Sequence, residues 1–354
     1  GQMDPTPLQP EVDLSGMEEG KKELTERLKK LSLYIRSLYT AFDSSSTRAK
    51  ILKLVKDSRR AYYQETETTN FPWPNASNMI APLTTMGIDE VEPRLVAAVI
   101  GKSPYIKAKP HVGASTKEEA EQITKFDNFI LKHKVKVESL VPEFVHEKLI
   151  DGTIYPLLSW KTDTRRVQRI VQDPNSANGW SRQIKELTTN GPCIELVPVE
   201  FVWHADDLND EDWERANVIR YVGNITIGEI QERVANIEVG LLLPKDITRF
   251  AASSLSISTT QQETEGVQDY VYQYEMNQKP IEFLEAYIKY DLLDNQQDEN
   301  LIVLVELNTF EIFRVREQLD VIDENIKPLR RMRFLKRRGI SWGYPLYTLI
   351  AGIQ

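Results

Sequence analysis

The chain has 354 residues, 41% of them hydrophobic and 27% charged, which is ordinary for a globular protein and excludes a fibre or a disordered chain. Its formal net charge of −9 argues against a protein that simply coats nucleic acid, since such proteins are usually basic. One cysteine, Cys193, rules out an internal disulfide and a cysteine-built zinc site, and makes a reducing compartment the default expectation.

Residues 1–16 read as a flexible tail, with three prolines and no basic start leading into an apolar stretch, so no secretory leader is expected there. From Met17, Leu24, Leu28, Leu31, Ile35 and Leu38 recur at helical spacing. The serines after Asp43 break that helix and cap a second one reaching about Tyr63. Asn70–Asn78 is a proline-fixed aromatic connection, and Trp73 within it is expected to be buried against the next helix. That helix starts at Pro82, ends at Gly101 and should be kinked or split at Pro93. Its apolar run Leu95–Ile100 is far short of the roughly 18 residues that span a membrane. Pro104–His111 reads as a short strand, and Ser115 with Glu118 as a capping box. Another helix follows around Pro142–Ile150.

From Gly152 the pattern turns to β. Strands are expected at Thr153–Trp160, Thr164–Val171, Ile184–Thr188, Cys193–Phe201 and Val218–Gly223, with an acidic loop over Asp206–Trp213. Thr226 can cap a short helix to about Ala235, and residues 251–266 form a polar loop. A meander follows at Tyr270–Met276, Phe283–Tyr290, Leu301–Leu307 and Phe310–Val315, and Leu329–Leu335 is a last strand. The expected class is therefore α+β. The parts are a tail at 1–16, a helical part at 17–151, an antiparallel β-rich part at 152–338 and a helix start at 339–354.

Catalytic motifs fail one by one. Gly339-Ile-Ser341-Trp-Gly343 matches the nucleophile elbow of serine hydrolases, but the histidine should follow the serine and the last one is His204. Gly101-Lys-Ser103 lacks the first P-loop glycine, because position 96 is Val96. The one E-x-K triplet, Glu19-Gly-Lys21, adjoins the tail. Asp206, Asp207, Asp210, Glu211 and Asp212 could gather a divalent ion, yet they lack an EF-hand's glycine and spacing; a solvated turn, or a partner for a basic surface, is the plainer reading. The strongest charge feature is Lys327, Arg330, Arg331, Arg333, Lys336, Arg337 and Arg338, with no acid among them. These are candidate contacts to a neighbouring subunit or to DNA phosphates, and the subunit is preferred because an acidic chain supplies carboxylates.

Three stretches, taken in order, resemble the portal proteins of tailed bacteriophages. They are Phe71–Pro110, with Trp73, Pro74, Asn75, Ala76, Ser77 and Asn78 before the Pro82 helix; Leu196–Val234, a strand, an acidic turn with Trp213, a strand and the Thr226 helix; and Pro328–Gln354, a basic strand, then Gly339 to Gly343, then a helix start. The resemblance implies the wing of a portal: a homo-oligomeric ring, usually of twelve copies, at one capsid vertex. Such a ring conducts double-stranded DNA during packaging by the terminase and during ejection, and it is the head–tail attachment point. It implies no catalytic residue, cofactor or metal. Its partners would be the terminase large subunit, capsid or scaffold protein and a head–tail adaptor, without a membrane, in the virion and in the host cytoplasm during assembly. In the family a long stem helix and a clip follow the glycine turn, whereas here Gln354 falls where that helix begins, so those elements are expected to be missing. The helix start should leave the β-rich body with its stripe Leu346, Leu349, Ile350 and Ile353 partly uncovered. The rivals are a different head–tail adaptor or assembly protein, and a serine hydrolase built on Ser341.

Overall fold

A computed structural model describes residues 15–65, 82–111, 116–172, 180–226, 280–318 and 326–351. The fold is α+β, with helices concentrated in the first half and antiparallel strands after it. The chain divides into two compact units, one of 1–44 with 215–325 and the other of 45–214 with 326–354. These units do not follow the change from helix to strand at Gly152, because each contains both.

In the first unit, helix α1 (Ser15–Asp43) lies on a meander. Its stripe works as read: Leu31 and Ile35 are fully buried, while Leu24 is exposed. Ser32 donates its hydroxyl to the Phe310 carbonyl at 2.6 Å, and the Tyr34 ring meets Tyr290 at 5.3 Å. The meander strands are β4 (Val218–Thr226), β5 (Pro280–Tyr290), β6 (Glu299–Glu306) and β7 (Ile312–Glu317), paired antiparallel in that order. One face holds Ile225, Ile281, Phe283, Leu304 and Phe313. A bulge at Gly223, whose φ of 108° favours glycine, shifts the β4–β5 register. Beside this core Glu285 is buried; burial pushes its carboxyl up, but Arg220 at 2.7 Å and Arg314 at 3.2 Å hold it below the usual range.

The second unit begins with α2 (Ser46–Tyr62), capped by Ser45, whose Oγ accepts from the Thr47 and Arg48 amides and donates to Asp206 Oδ2 at 2.5 Å. Helix α3 (Leu83–Ile100) starts after Pro82 and stops at Gly101 as expected. It runs unbroken through Pro93, which corrects the expected split. Pro93 and Asp89 are both exposed, so water can satisfy the carbonyl that loses its N–H partner. The expected strand at 104–111 is also corrected. The segment is an extended strap whose backbone groups are met by side chains of α4 (Lys117–Ile130). The Tyr105 amide donates to Asn128 Oδ1 at 2.6 Å, Asn128 Nδ2 donates to the Ile106 carbonyl at 2.7 Å, and the Ala108 amide donates to Thr124 Oγ1 at 3.0 Å. The capping box of α4 is Thr116 with Glu119, one residue on from the expected pair. A π-helical turn, Leu131–Val135, ends at Lys136, whose φ of 57° redirects the chain into α5 (Val137–Asp151).

The four strands expected between Thr153 and Phe201 are two. β1 (Thr153–Gln172) and β2 (Trp180–Val197) pair from Tyr155 with Val197 to Gln172 with Trp180. Asn190-Gly-Pro192 makes no turn, because β2 is the outer strand of its sheet and a proline there forfeits no second ladder. A 3-10 turn, Val199–Phe201, and β3 (Val202–His204) follow. The expected last strand is broken into β8 (Met332–Arg333) and β9 (Leu335–Lys336), followed by β10 (Gly343–Tyr344) and α6 (Tyr347–Ile350). α6 packs on α2 and α3 of its own chain. Leu346 joins Ile88, Leu149 and Ile150 in a core, and the side chain of Ile350 reaches Gly87 on α3, where no Cβ stands in its way. Leu349 stays exposed, so the stripe is partly covered.

The tail before Ser15, the motif Trp73–Asn78, Ser115, the Thr226 helix, the 251–266 loop, the strand Tyr270–Met276 and Ile353 lie outside the described residues.

Candidate functional site

The second unit brings the basic strand, the acidic loop and the Gly339–Gly343 turn together. Residues 328–334 lie along β1: the Leu158 amide donates to the Pro328 carbonyl, the Arg330 amide to Pro156 and the Phe334 amide to Gly152, while Thr153 and Ile154 pair with Arg333 and Met332. Alternation along that strand aims Arg331 and Arg333 to one side, where the acidic loop crosses.

Asp210 is the hub. Its carboxylate accepts from Arg331 at 3.1 Å, Arg333 at 2.7 Å and Lys336 at 2.7 Å. The two arginine side chains are only 1% and 7% exposed, so they are closed to any outside partner. Partial burial pushes the Asp210 carboxyl up, but the bonds from Lys336, Arg333 and Arg331 prevail and hold it well below the usual carboxylate range. Arg331 also lies over the Trp213 ring at 4.8 Å and donates to the Asn209 carbonyl at 3.0 Å. Arg333 donates to the Ile340 carbonyl at 2.8 Å.

The remaining members of the basic run divide in two. Lys327 is buried, donates to the Trp213 carbonyl at 2.7 Å, and is pushed by burial down to about 8 against the pull of Glu214. Arg330 pairs with Glu214. Lys336, Arg337 and Arg338 are exposed, with Arg337 placed over the Tyr344 ring at 4.0 Å. Of the acidic residues, Asp210 is the partner of a basic surface that the sequence suggested. Among the described residues no three His, Cys, Asp or Glu side chains converge on a metal-sized site.

The glycine turn holds a surprise. His204, which precedes Ser341 by more than a hundred residues, sits with Nδ1 at 3.1 Å from Ser341 Oγ. The order argument against a serine–histidine pair therefore fails on proximity, but the chemistry still does not support an activated serine. His204 Nδ1 is also 2.8 Å from the Ala205 carbonyl, which can only accept, so that nitrogen carries the proton and has no lone pair for the hydroxyl. Its Nε2 accepts from the Tyr155 hydroxyl at 2.6 Å, where a triad would place a carboxylate. Burial pushes the imidazole down to about 3, and Arg331 donates to Ser341 Oγ. Ser341 is completely buried, which leaves no approach for a substrate. The group is a packed polar core: His204 stacks on Trp342 at 4.2 Å and meets Trp213 edge-on at 5.5 Å.

The two motif glycines differ. Gly343 passes so close to the chain that a Cβ would come within 2.2 Å of the Gly152 carbonyl oxygen. Gly339 has open space but a φ of 75°, which glycine adopts without strain. Sequence reasoning missed the Tyr155, His204, Trp213 and Trp342 cluster, since its members come from four distant segments with no shared spacing.

No protein-family profile matches the chain, and no curated protein matches it.

Proposed function

We propose that the chain is a portal protein of a tailed bacteriophage, a structural ring-former that conducts double-stranded DNA and enters no catalytic step of its own. The observation that carries the reading is the union of two of the three resembling stretches. The acidic turn before Trp213 and the basic strand before Gly339, more than a hundred residues apart, are bonded into one body through Asp210, Glu214 and the Trp213 indole, whose Nε1 donates to the Leu329 carbonyl at 2.9 Å. Hydrogen bonds between segments distant in sequence oppose local opening, which suits a conduit wall under load. The net charge of −9 also suits a wall along which a polyanion slides, since strong phosphate binding would hold it. The partners under this reading are further copies of the chain, the terminase, the capsid or scaffold and the head–tail adaptor, in the virion.

The test is native mass measurement with negative-stain imaging of the purified protein. A closed ring near twelve copies is expected. A chain that joins a preformed ring but never forms one would sink the portal reading in favour of an adaptor. Labelling of Ser341 by a serine-reactive probe would restore the hydrolase.

A further inference from the structure

Exposed large apolar side chains are not spread evenly over the described residues. Seven of the fifteen fall between Met86 and Phe129, on α3, the strap and α4. Helix α4 is the clearest case. It makes its main contacts with the turn Leu131–Val135 that continues it and with the strap bonded to Thr124 and Asn128. Its buried side is narrow, with Ala120 the one fully buried residue, while Ile123, Phe126 and Phe129 face outward, Phe126 with 64% of its surface exposed. Leu95 and Val99 of α3 and Ile106 of the strap are exposed as well. A helix draws most of its stability from covering an apolar stripe, so an uncovered stripe of this size marks a surface that is covered in use.

Charge identifies the cover. From Arg94 through Lys109 the chain carries Arg94, Lys102, Lys107 and Lys109 and no acid, whereas the first turns of α4 carry Glu118, Glu119 and Glu121 against the single base Lys117. Arg94 pairs with Glu90 and Glu119 serves the capping box. Lys102, Lys107, Lys109, Glu118 and Glu121 are exposed and make no ion pair among the described residues. One copy therefore presents an apolar surface with a basic flank and another with an acidic flank, which is the pattern of a head-to-tail contact between identical chains.

We propose that α4 of one copy docks its Ile123, Phe126 and Phe129 stripe on the α3 and strap surface, Leu95, Val99 and Ile106, of a second copy, with Glu118 and Glu121 facing the lysines of the strap. The contact relies on the ring reading for the number of copies alone; the surface and the partner are argued from this unit.

The experiment uses the full chain and sedimentation velocity. Phe126→Asp should weaken self-association at least about tenfold, as loss of a central aromatic anchor does, with unchanged thermal unfolding. Two charge variants then decide the geometry: K107E with K109E, and E118K with E121K. Each alone should associate poorly, and an equal mixture should associate again, because each variant supplies the charge the other has lost. A mixture that stays dissociated would overturn the proposal, since charges paired within one copy are not restored by mixing. A wild-type chain that is monomeric at tens of micromolar would overturn it too, and would make the occupant a different protein. Rings that persist in all variants would overturn this interface and leave the portal reading standing. An open or smaller oligomer lost in the variants and rescued by mixing would do the reverse.

Discussion

Two basic stretches of this chain look alike in sequence and differ completely in the fold. Lys327–Arg338 is the denser and invites a reading as a binding surface, yet Arg331, Arg333 and Lys336 are gathered on Asp210, and Lys327 is buried under Trp213. The stretch from Arg94 to Lys109 is sparser, and its three lysines are exposed beside uncovered apolar side chains. The lesson is that an acid-free basic run reports charge density, whereas availability depends on what crosses it. An acidic loop crosses the first. The second lies on a helix end and a strap whose backbone is met by uncharged side chains, Thr124 and Asn128.

The largest expected effect breaks the closed region at its tightest point. Gly343→Ala drives a Cβ into the Gly152 carbonyl and against Arg333, and should destabilise the protein by more than about 3 kcal/mol in urea unfolding. Gly339→Ala, which meets only the strain of positive φ, should cost about 1 kcal/mol. Equal effects would show that the close approach at Gly343 does not matter.

Next, Asp210→Ala leaves two buried guanidiniums without their carboxylate. Breaking a buried pair costs about 3–5 kcal/mol, and because Asp210 is itself 47% exposed the expected loss is nearer about 2–3 kcal/mol. The pH dependence has a fixed sign. The folded carboxyl is held below its unfolded value, so the contribution is present above about pH 4 and is lost as pH falls through the depressed folded value. An acid transition unchanged in the variant would remove Asp210 from its role as hub.

Lys327 gives a smaller signature of the same sign, in the alkaline range. Its folded value is depressed to about 8, so between pH 8 and about 10 the unfolded chain keeps a proton that the fold has released. Stability should therefore rise with pH across that window, and Lys327→Met should flatten the rise.

The smallest effect tests the open stretch. Lys107→Glu with Lys109→Glu should leave unfolding within about 0.5 kcal/mol of the parent, while self-association falls. A destabilisation comparable to that of Asp210→Ala would mean that this stretch, too, is closed.

Where the sequence was legible, the signal was local. The 3.6-residue spacing of Leu31 and Ile35, the cap at Ser45, the Pro82 start and Gly101 stop of α3, and the alternating strands of the meander each depend on neighbours a few residues away. Where it failed, a distant partner overrode a local preference. Asn190-Gly-Pro192 has turn chemistry, but continuous pairing with β1 keeps it extended. Residues 104–111 have strand composition, yet the side chains of α4 reach their backbone before any strand does.

The candidate site divides in the same way. Its ingredients were determined by the sequence alone: a basic run without acids, an acidic loop with Trp213 and a serine between two glycines. Only the tertiary structure decided that the run and the loop neutralise each other, that His204 meets Ser341 with its protonated nitrogen, and that the lysines of the strap stay open. The reason is physical. Helix and strand preferences act along the chain, while ion pairing, proton placement and burial depend on distances through space that sequence separation does not encode.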